Sequence, residues 1–235
     1  GPTVEDQFRK KVGNLRMSKS TVSFGKIRNN EVKTDTVMLY NVGKTDMTLA
    51  LQQKFPAYLK VTCGDASLKP EGKTSVIITY DAAKKNDYGM VFDRISFNTN
   101  DADQPQKFIN ITAYIQEFFP PAQPGDSTVA KAAVTETVFD FGQIKQGEKV
   151  SKTFTIGNTG TKSLFVRSVK NACGCIKTTL SKNEIKPGES ATLKIDYDSF
   201  AKEGKDQKWV NVFLSDPAMS EVKLDVHGEV LKPAK

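Results

Sequence analysis

The sequence predicts an all-β protein, two antiparallel β-sandwich domains in tandem. Three observations carry that prediction. Apolar and polar residues alternate through most of the chain, turn residues recur between the alternating runs, and the whole pattern is written twice, 117 residues apart. Phe24-Gly25-Lys26-Ile27 returns as Phe141-Gly142-Gln143-Ile144, and Glu31 returns as Glu148. Asn41-Val42-Gly43 returns as Asn158-Thr159-Gly160, Pro70 as Pro187, and Tyr80-Asp81 as Tyr197-Asp198. One register held across strands, turns and a proline marks a duplicated structural unit. What both copies share reads as scaffold, and what one copy has alone is a candidate site.

The strands follow from the period. In the first copy Val37 and Leu39 lie on one face of a strand, as do Val76, Ile78 and Tyr80, then Ile95 and Phe97, then Ile109 and Ile111. In the second copy the same holds for Phe154 and Ile156, for Leu193, Ile195 and Tyr197, for Val210, Val212 and Leu214, and for Val222, Leu224 and Val226. Successive side chains of a strand face opposite sides of a sheet, so this alternation marks strands buried on one face. The Asn-x-Gly triplets read as tight turns in which glycine supplies a positive φ. Pro187-Gly188 suits the two central positions of a type II turn, and Pro70-Glu71-Gly72 shifts the glycine by one. Short strands with turns at intervals of roughly 8–12 residues are the pattern of a two-sheet sandwich.

These signals divide the chain into an N-terminal segment over residues 1–19, a first sandwich over 20–117, a linker over 118–135, a second sandwich over 136–231 and a tail over 232–235. Gly1-Pro2 reads as the scar of a tag-cleaving protease, so the natural N-terminus and any secretion signal are expected upstream. Glu5 to Val12 reads as one or two helical turns or as the tail of an upstream domain. The run Phe118-Phe119-Pro120-Pro121-Ala122-Gln123-Pro124-Gly125 favours extended, semi-rigid backbone.

Of 235 residues, 34 are basic and 27 acidic, a net charge of +7. The excess is spread over both copies with no basic stripe, so a nucleic-acid partner is not expected. No apolar stretch is long enough to span a membrane. Three cysteines are too few for a disulfide framework, and the odd count leaves one unpaired.

The second copy carries a fuller signature. It runs Phe139-Asp140-Phe141-Gly142, Gly147-Glu148, Phe154, Asn158-Thr159-Gly160, Ala172-Cys173-Gly174-Cys175 and Ile185-Lys186-Pro187-Gly188-Glu189. From Val134 to Val230 it resembles the bacterial family known as domain of unknown function 1573. That family is itself similar to the immunoglobulin-like domains of the ASH, MSP and Hydin group. The first copy, from about Ser20 to Gln116, keeps the phenylalanine-glycine start, the Asn-x-Gly triplet and the Tyr-Asp strand end, and lacks the Cys-Gly-Cys. The resemblance implies tandem immunoglobulin-like folds in an extracytoplasmic protein of a Bacteroidetes-like, Gram-negative bacterium. It implies no enzymatic activity and no cofactor.

Cys173-Gly174-Cys175 is the one compact constellation of reactive side chains. Its cysteines read as core packing, as a local redox-active disulfide, as ligands for a soft metal such as copper, or as a thiol that pairs with another protein. Two thiolates alone are a poor zinc site, since zinc takes four ligands. Cys63 aligns with Leu180 and reads as a lone structural thiol. His227, the single histidine, lies in an alternating strand and reads as a strand residue. Asp101 with Asp103 and Asp196 with Asp198 read as solvated turn or strand-end carboxylates, with calcium binding the less favoured reading. Trp209 reads as packing just before the strand that opens at Val210, or as part of an exposed sugar-stacking surface if Tyr88 and Tyr114 converge on it. Phe118 and Phe119 read as a plug between the copies or a binding surface, and Ser127, in Asp126-Ser127-Thr128, as a candidate O-glycosylation site.

The reading that follows is a non-enzymatic binding or scaffolding protein of the bacterial envelope. Its expected partner is another envelope protein, met through a sheet edge or the groove between domains. Redox or copper handling and carbohydrate binding are the alternatives.

Overall fold

The computed structural model describes residues 1–235 as two compact units, Gly1–Phe118 and Phe119–Lys235. The first unit holds α1 (Val4–Gln7), β1 (Lys10–Val12), β2 (Leu15–Met17), β3 (Thr21–Arg28), β4 (Val32–Asn41), β5 (Met47–Leu51), β6 (Leu59–Cys63), β7 (Ser67–Leu68), β8 (Lys73–Asp81), α2 (Ala82–Lys85), β9 (Gly89–Thr99) and β10 (Gln106–Gln116). Its sheets run β1-β2-β4-β8-β6 and β3-β10-β9-β5-β7. The second unit holds β11 (Ala132–Ala133), β12 (Val138–Lys145), β13 (Lys149–Asn158), β14 (Leu164–Asn171), β15 (Ile176–Leu180), β16 (Glu184–Ile185), β17 (Ser190–Asp198), β18 (Gly204–Asp216) and β19 (Met219–Leu231). Its sheets run β11-β13-β17-β15 and β12-β19-β18-β14-β16.

Both units are sandwiches whose inward faces are the predicted alternating residues. Val37, Leu39, Val76, Ile78, Tyr80, Ile95, Phe97, Ile109 and Ile111 enter the first core, and Phe154, Ile156, Leu193, Ile195, Tyr197, Val210, Val212 and Leu214 the second. Pairing is antiparallel with one exception per unit: β3 runs parallel to β10, and β12 parallel to β19. The repeated phenylalanine-glycine lies in these parallel strands. Gly25 and Gly142 take φ of 67° and 65°, and the register slips beside them, as expected where glycine permits a left-handed bulge.

The sandwiches take in residues that the sequence reading left outside them. Leu15 and Met17 are fully buried in the first core, and β2 hydrogen-bonds along β4. Helix in the 5–12 stretch is confined to α1, with a Thr3/Asp6 capping box, and β1 follows. In the second unit Ala130 and Ala132 are buried, and β11 pairs with the end of β13. Short strands with few alternating positions carry almost no periodic signal, which is why they read as tail and linker.

The Asn-x-Gly triplets differ from their expected role. Neither glycine has a positive φ. The asparagine is the keystone instead. Asn158, 1% exposed, donates from Nδ2 to the carbonyls of Lys162 and Ile185 at 2.8 Å each, and its Oδ1 accepts the Gly160 N–H at 2.9 Å and the Lys131 N–H at 3.3 Å. Asn41 does the same with Thr45, Leu68 and Gly43, each at 2.9 Å. Gly160 is required because a Cβ there would collide with the Val129 carbonyl. The proline turns also part ways. Gly188 takes φ 79° as a type II turn requires, whereas its counterpart Glu71 is forced to φ 65° with a side chain attached.

Candidate functional site

The turn into β15 carries the Cys-Gly-Cys. β14 ends at Asn171, whose Oδ1 accepts the Cys173 N–H at 3.1 Å, and the Cys173 carbonyl accepts the Ile176 N–H at 3.1 Å. The two sulfurs are joined in a disulfide with Cα atoms 5.1 Å apart. Both cysteines are half-buried, and Cys175 packs against the core. The Cys175 carbonyl accepts the Asp198 N–H at 2.8 Å, which ties the turn to the end of β17. Gly174 has no left-handed φ, and a Cβ there would touch nothing within 4 Å, so the folded turn itself does not demand glycine.

Charge approaches from the β17–β18 turn. Ser199 is buried, and its hydroxyl donates to the Glu148 carbonyl at 2.6 Å. Gln146 Nε2 donates to the Lys202 carbonyl at 2.9 Å, and Ala201 closes the turn at φ 58°. Anchored in this way, Lys202 places its Nζ 3.9 Å from Cys173 Sγ, and the Cys175 N–H points at the same sulfur from 3.1 Å. Phe200, in the same turn, is 77% exposed. β15 is the last strand of its sheet, so the site opens at a free edge. A disulfide spanning two residues closes so short a loop that chain entropy gives it only about 1.5 kcal/mol.

The first unit repeats the turn with different chemistry. Leu59 N–H bonds the Pro56 carbonyl and Asp81 N–H the Tyr58 carbonyl, so Pro56 and Tyr58 stand where the second unit has Cys173 and Cys175. Lys85 stands for Lys202, and its Nζ lies 3.1 Å from the Tyr58 hydroxyl and 3.6 Å from Asp93. Tyr58 also bonds Asp93. Burial, and then Asp93, push the Tyr58 hydroxyl above its ordinary range. The hydroxyls of the paired core tyrosines diverge. Tyr197 donates to Asp206 at 2.6 Å, while Tyr80 is buried without a hydrogen-bond partner.

The other expected residues are dispersed. Cys63 is the free cysteine, half-buried, and burial pushes its thiol up. His227 lies on the outer face of β19, 3.6 Å from Asp140 and 3.1 Å from Asp225, the latter outside hydrogen-bond alignment. It lines an open groove of about 530 Å³ with Gln143, Lys205, Gln207 and Glu229. Trp209 lies within β18 rather than before it, 43% exposed, with Lys223 Nζ 5.2 Å from its ring centroid. Tyr88 and Tyr114 belong to the first unit and Trp209 to the second. Phe118 is half-buried in the first unit, where its N–H donates to Asn29 at 2.7 Å and Arg28 lies over its ring. Phe119, which opens the second unit, is also half-buried. Ser127 is exposed, beside an Asp126 whose carboxylate accepts from Thr128. No three His, Cys, Asp or Glu side chains come together as a metal site.

One residue read as a solvated turn carboxylate belongs instead to a buried pair. Asp101 and Lys107 are both fully buried at their side chains, 2.6 Å apart. Lys107 also donates to the Val12 carbonyl at 2.7 Å, and Asp101 accepts the Asn14 N–H at 2.8 Å. Burial works to raise the Asp101 carboxyl, but bonds from Lys107, Asn14 and the Asp103 N–H hold it far below the usual carboxylate range. A lone lysine in an alternating strand gives no sign of this partner.

Fold and site together define a tandem of immunoglobulin-like domains, the second bearing a local disulfide at a sheet edge. Residues 132–230 match the family described as Protein of unknown function (DUF1573), and residues 13–114 match the HYDIN/CFA65/VesB-like Ig-like domain. Each unit thus matches one immunoglobulin-like family model, the second unit that of DUF1573. A protein of unknown function from Porphyromonas gingivalis W83 is similar in structure, with a TM-score of 0.63, 17% identity, and coverage of 92% of this chain and 100% of the other. The ASH/PapD-like domain 7 of human CEP192 aligns at a TM-score of 0.37 and 9% identity, over 50% of this chain and 98% of the other. No protein of curated function matches the chain. The helices are four residues long, and none is long and apolar enough to cross a membrane.

Proposed function

We propose that this chain is a non-enzymatic binding or scaffolding protein of the bacterial envelope, acting outside the cytoplasm. We further propose that it meets another envelope protein through the edge strand β15. The observation that carries this reading is the placement of the second unit's distinctive features. The disulfide, Lys202 and the exposed Phe200 gather at one end of a strand that has a neighbour on one side only. An edge strand offers unpaired backbone donors and acceptors to an added strand. The disulfide supports an oxidising compartment, since small local disulfides do not persist among cytosolic reductants.

Lys177 of β15 and Lys60 of β6 are both exposed and occupy the same place in their units, each on an edge strand. A photo-reactive residue at Lys177, introduced in cells of the source bacterium, is expected to give a discrete adduct with one envelope protein. The same residue at Lys60 is expected to give less of it. No adduct at Lys177, or equal diffuse labelling at both positions, defeats the reading. Recovery of the full-length protein in the cytoplasmic fraction defeats the localisation.

A further inference from the structure

We propose that the Cys173–Cys175 disulfide is a thiol–disulfide exchange site that accepts two electrons from a protein dithiol, with Cys173 the sulfur that leaves as thiolate. The proposal does not rest on the edge-binding reading, because a small dithiol tests it directly.

The two sulfurs have been made unequal. Cys173 Sγ faces the Lys202 ammonium at 3.9 Å and the Cys175 N–H at 3.1 Å. Both favour negative charge on that sulfur, as a neighbouring lysine does for reactive cysteines. Cys175 instead lies against the apolar core, which disfavours its thiolate. A disulfide exchanges fastest when the departing sulfur is the better-stabilised thiolate, so attack falls on Cys175 and Cys173 departs. The carboxylates on the same turn are engaged elsewhere: Asp198 accepts the Phe200 N–H, and Glu203 pairs with Lys232 at 3.0 Å. Lys177 of β15 adds a further positive charge on the strand that follows the turn.

Structural need is a weak explanation for the pair. The first unit builds the same turn, with the same backbone bonds, from Pro56 and Tyr58. The disulfide therefore adds chemistry to a turn that holds without it. Both cysteines are half-buried rather than sealed, and Phe200, two residues from Lys202 and 77% exposed, offers an apolar landing for a partner.

A partner thiolate attacks Cys175 Sγ, the S–S bond breaks, and its electron pair leaves on Cys173 beside Lys202. The partner's second thiol loses its proton and attacks its own sulfur in the mixed disulfide. Cys175 is released and protonated. The chain has gained two electrons, and the partner dithiol has become a disulfide.

The test uses the whole chain, its Lys202→Met, Lys202→Gln and Lys202→Arg variants, and dithiothreitol as the dithiol. Reduction is followed by alkylation and mass spectrometry, which resolves Cys63, Cys173 and Cys175 separately. Reduction of the wild type is expected to be roughly three- to tenfold faster than that of Lys202→Met and Lys202→Gln, with Lys202→Arg restoring most of the rate. In the reduced protein, the pH midpoint of alkylation at Cys173 is expected below the value near 8.5 of free cysteine, and to rise by about one unit without the lysine. Equal reduction rates in all four proteins overturn the proposal. So does a Cys173 midpoint at or above that of free cysteine, or a wild-type disulfide that stays closed at dithiothreitol concentrations that open an unfolded Cys-Gly-Cys peptide.

Discussion

At the corner where β9 ends in the first unit, Asp101 is buried against Lys107; at the matching corner of the second unit, at the last residue of β18, Asp216 is buried with Val222 at the lysine's position. Both aspartates accept backbone N–H groups from the segment that opens their unit, Asn14 at 2.8 Å and Ala132 at 2.9 Å. Two copies of one scaffold have thus solved the same closure with and without a buried countercharge. The difference teaches that the conserved geometry lies in the aspartate and the backbone it clasps, and that the lysine is a variable means of satisfying it. The β6 and β15 turns show the converse. There the backbone bonds are the same, and the side chains differ in kind, with a tyrosine–lysine–aspartate cluster in one unit and a disulfide beside a lysine in the other.

The largest effect expected from breaking this comparison is at Lys107. Lys107→Ala leaves Asp101 buried without its partner, and should cost the first unit about 3–5 kcal/mol in urea unfolding while leaving the second unit's transition in place. The pair also makes a pH claim. Asp101 has its carboxyl depressed in the folded state, so its contribution is fully present above the unfolded value near 4 and is lost as pH falls below that value toward the folded one. Acid unfolding of the first unit should start below about pH 4 and flatten in a Lys107→Met/Asp101→Asn double variant. An acid limb unchanged in the double variant would remove the pair from the account.

Next in size are the keystone asparagines. Asn158→Ala and Asn41→Ala each strand one buried carbonyl, of Ile185 or Leu68, and one part-buried carbonyl, of Lys162 or Thr45, and should each cost about 2–3 kcal/mol in the unit that carries them. Equal losses in the two units would show that Asn158's added bond from the Lys131 N–H, at 3.3 Å, contributes little. The disulfide should matter less to stability than either: Cys173→Ser/Cys175→Ser should lower the second unit by about 1.5 kcal/mol or less and leave the first untouched. A loss beyond about 3 kcal/mol would return the pair to a structural role. The smallest effect concerns the proline turns, where Gly188→Glu should cost about 1 kcal/mol by putting a side chain at φ 79°. Glu71→Gly should move the first unit by a smaller amount in the stabilising direction, read as a shift in its thermal midpoint.

The sequence displayed the duplication, the long strands and the all-β class because those signals are local and repeated. Core positions such as Leu193-x-Ile195-x-Tyr197 alternate over enough residues to fix the period, and the same phase recurs in the first copy. The short strands β2 and β11 escaped notice because each shows too few positions to have a period. The register between copies also slides from 117 to 115 residues past the Tyr-Asp strand ends, because α2 in the first unit stands where the second has the tighter Asp198–Lys202 turn. Gly89 and Gly204, both at positive φ, open the matching strands at that new offset.

By itself, the sequence determined the class, the tandem arrangement, the inward face of most long strands, and the second copy's Cys-Gly-Cys as the feature to watch. Tertiary structure alone decided what the polar residues do. Asn158 reads as a turn former until its amide is seen to reach the carbonyls of Lys162 and Ile185, and Asp101 reads as a solvated carboxylate until Lys107 is seen beside it. Lys202, 29 residues beyond Cys173 in the chain, has no sequence mark that places its ammonium at that sulfur. The physical reason is range. Periodicity reports the direction a side chain takes from its own strand, whereas a hydrogen bond or ion pair depends on which strand the fold brings opposite, and short spacing rules do not encode that.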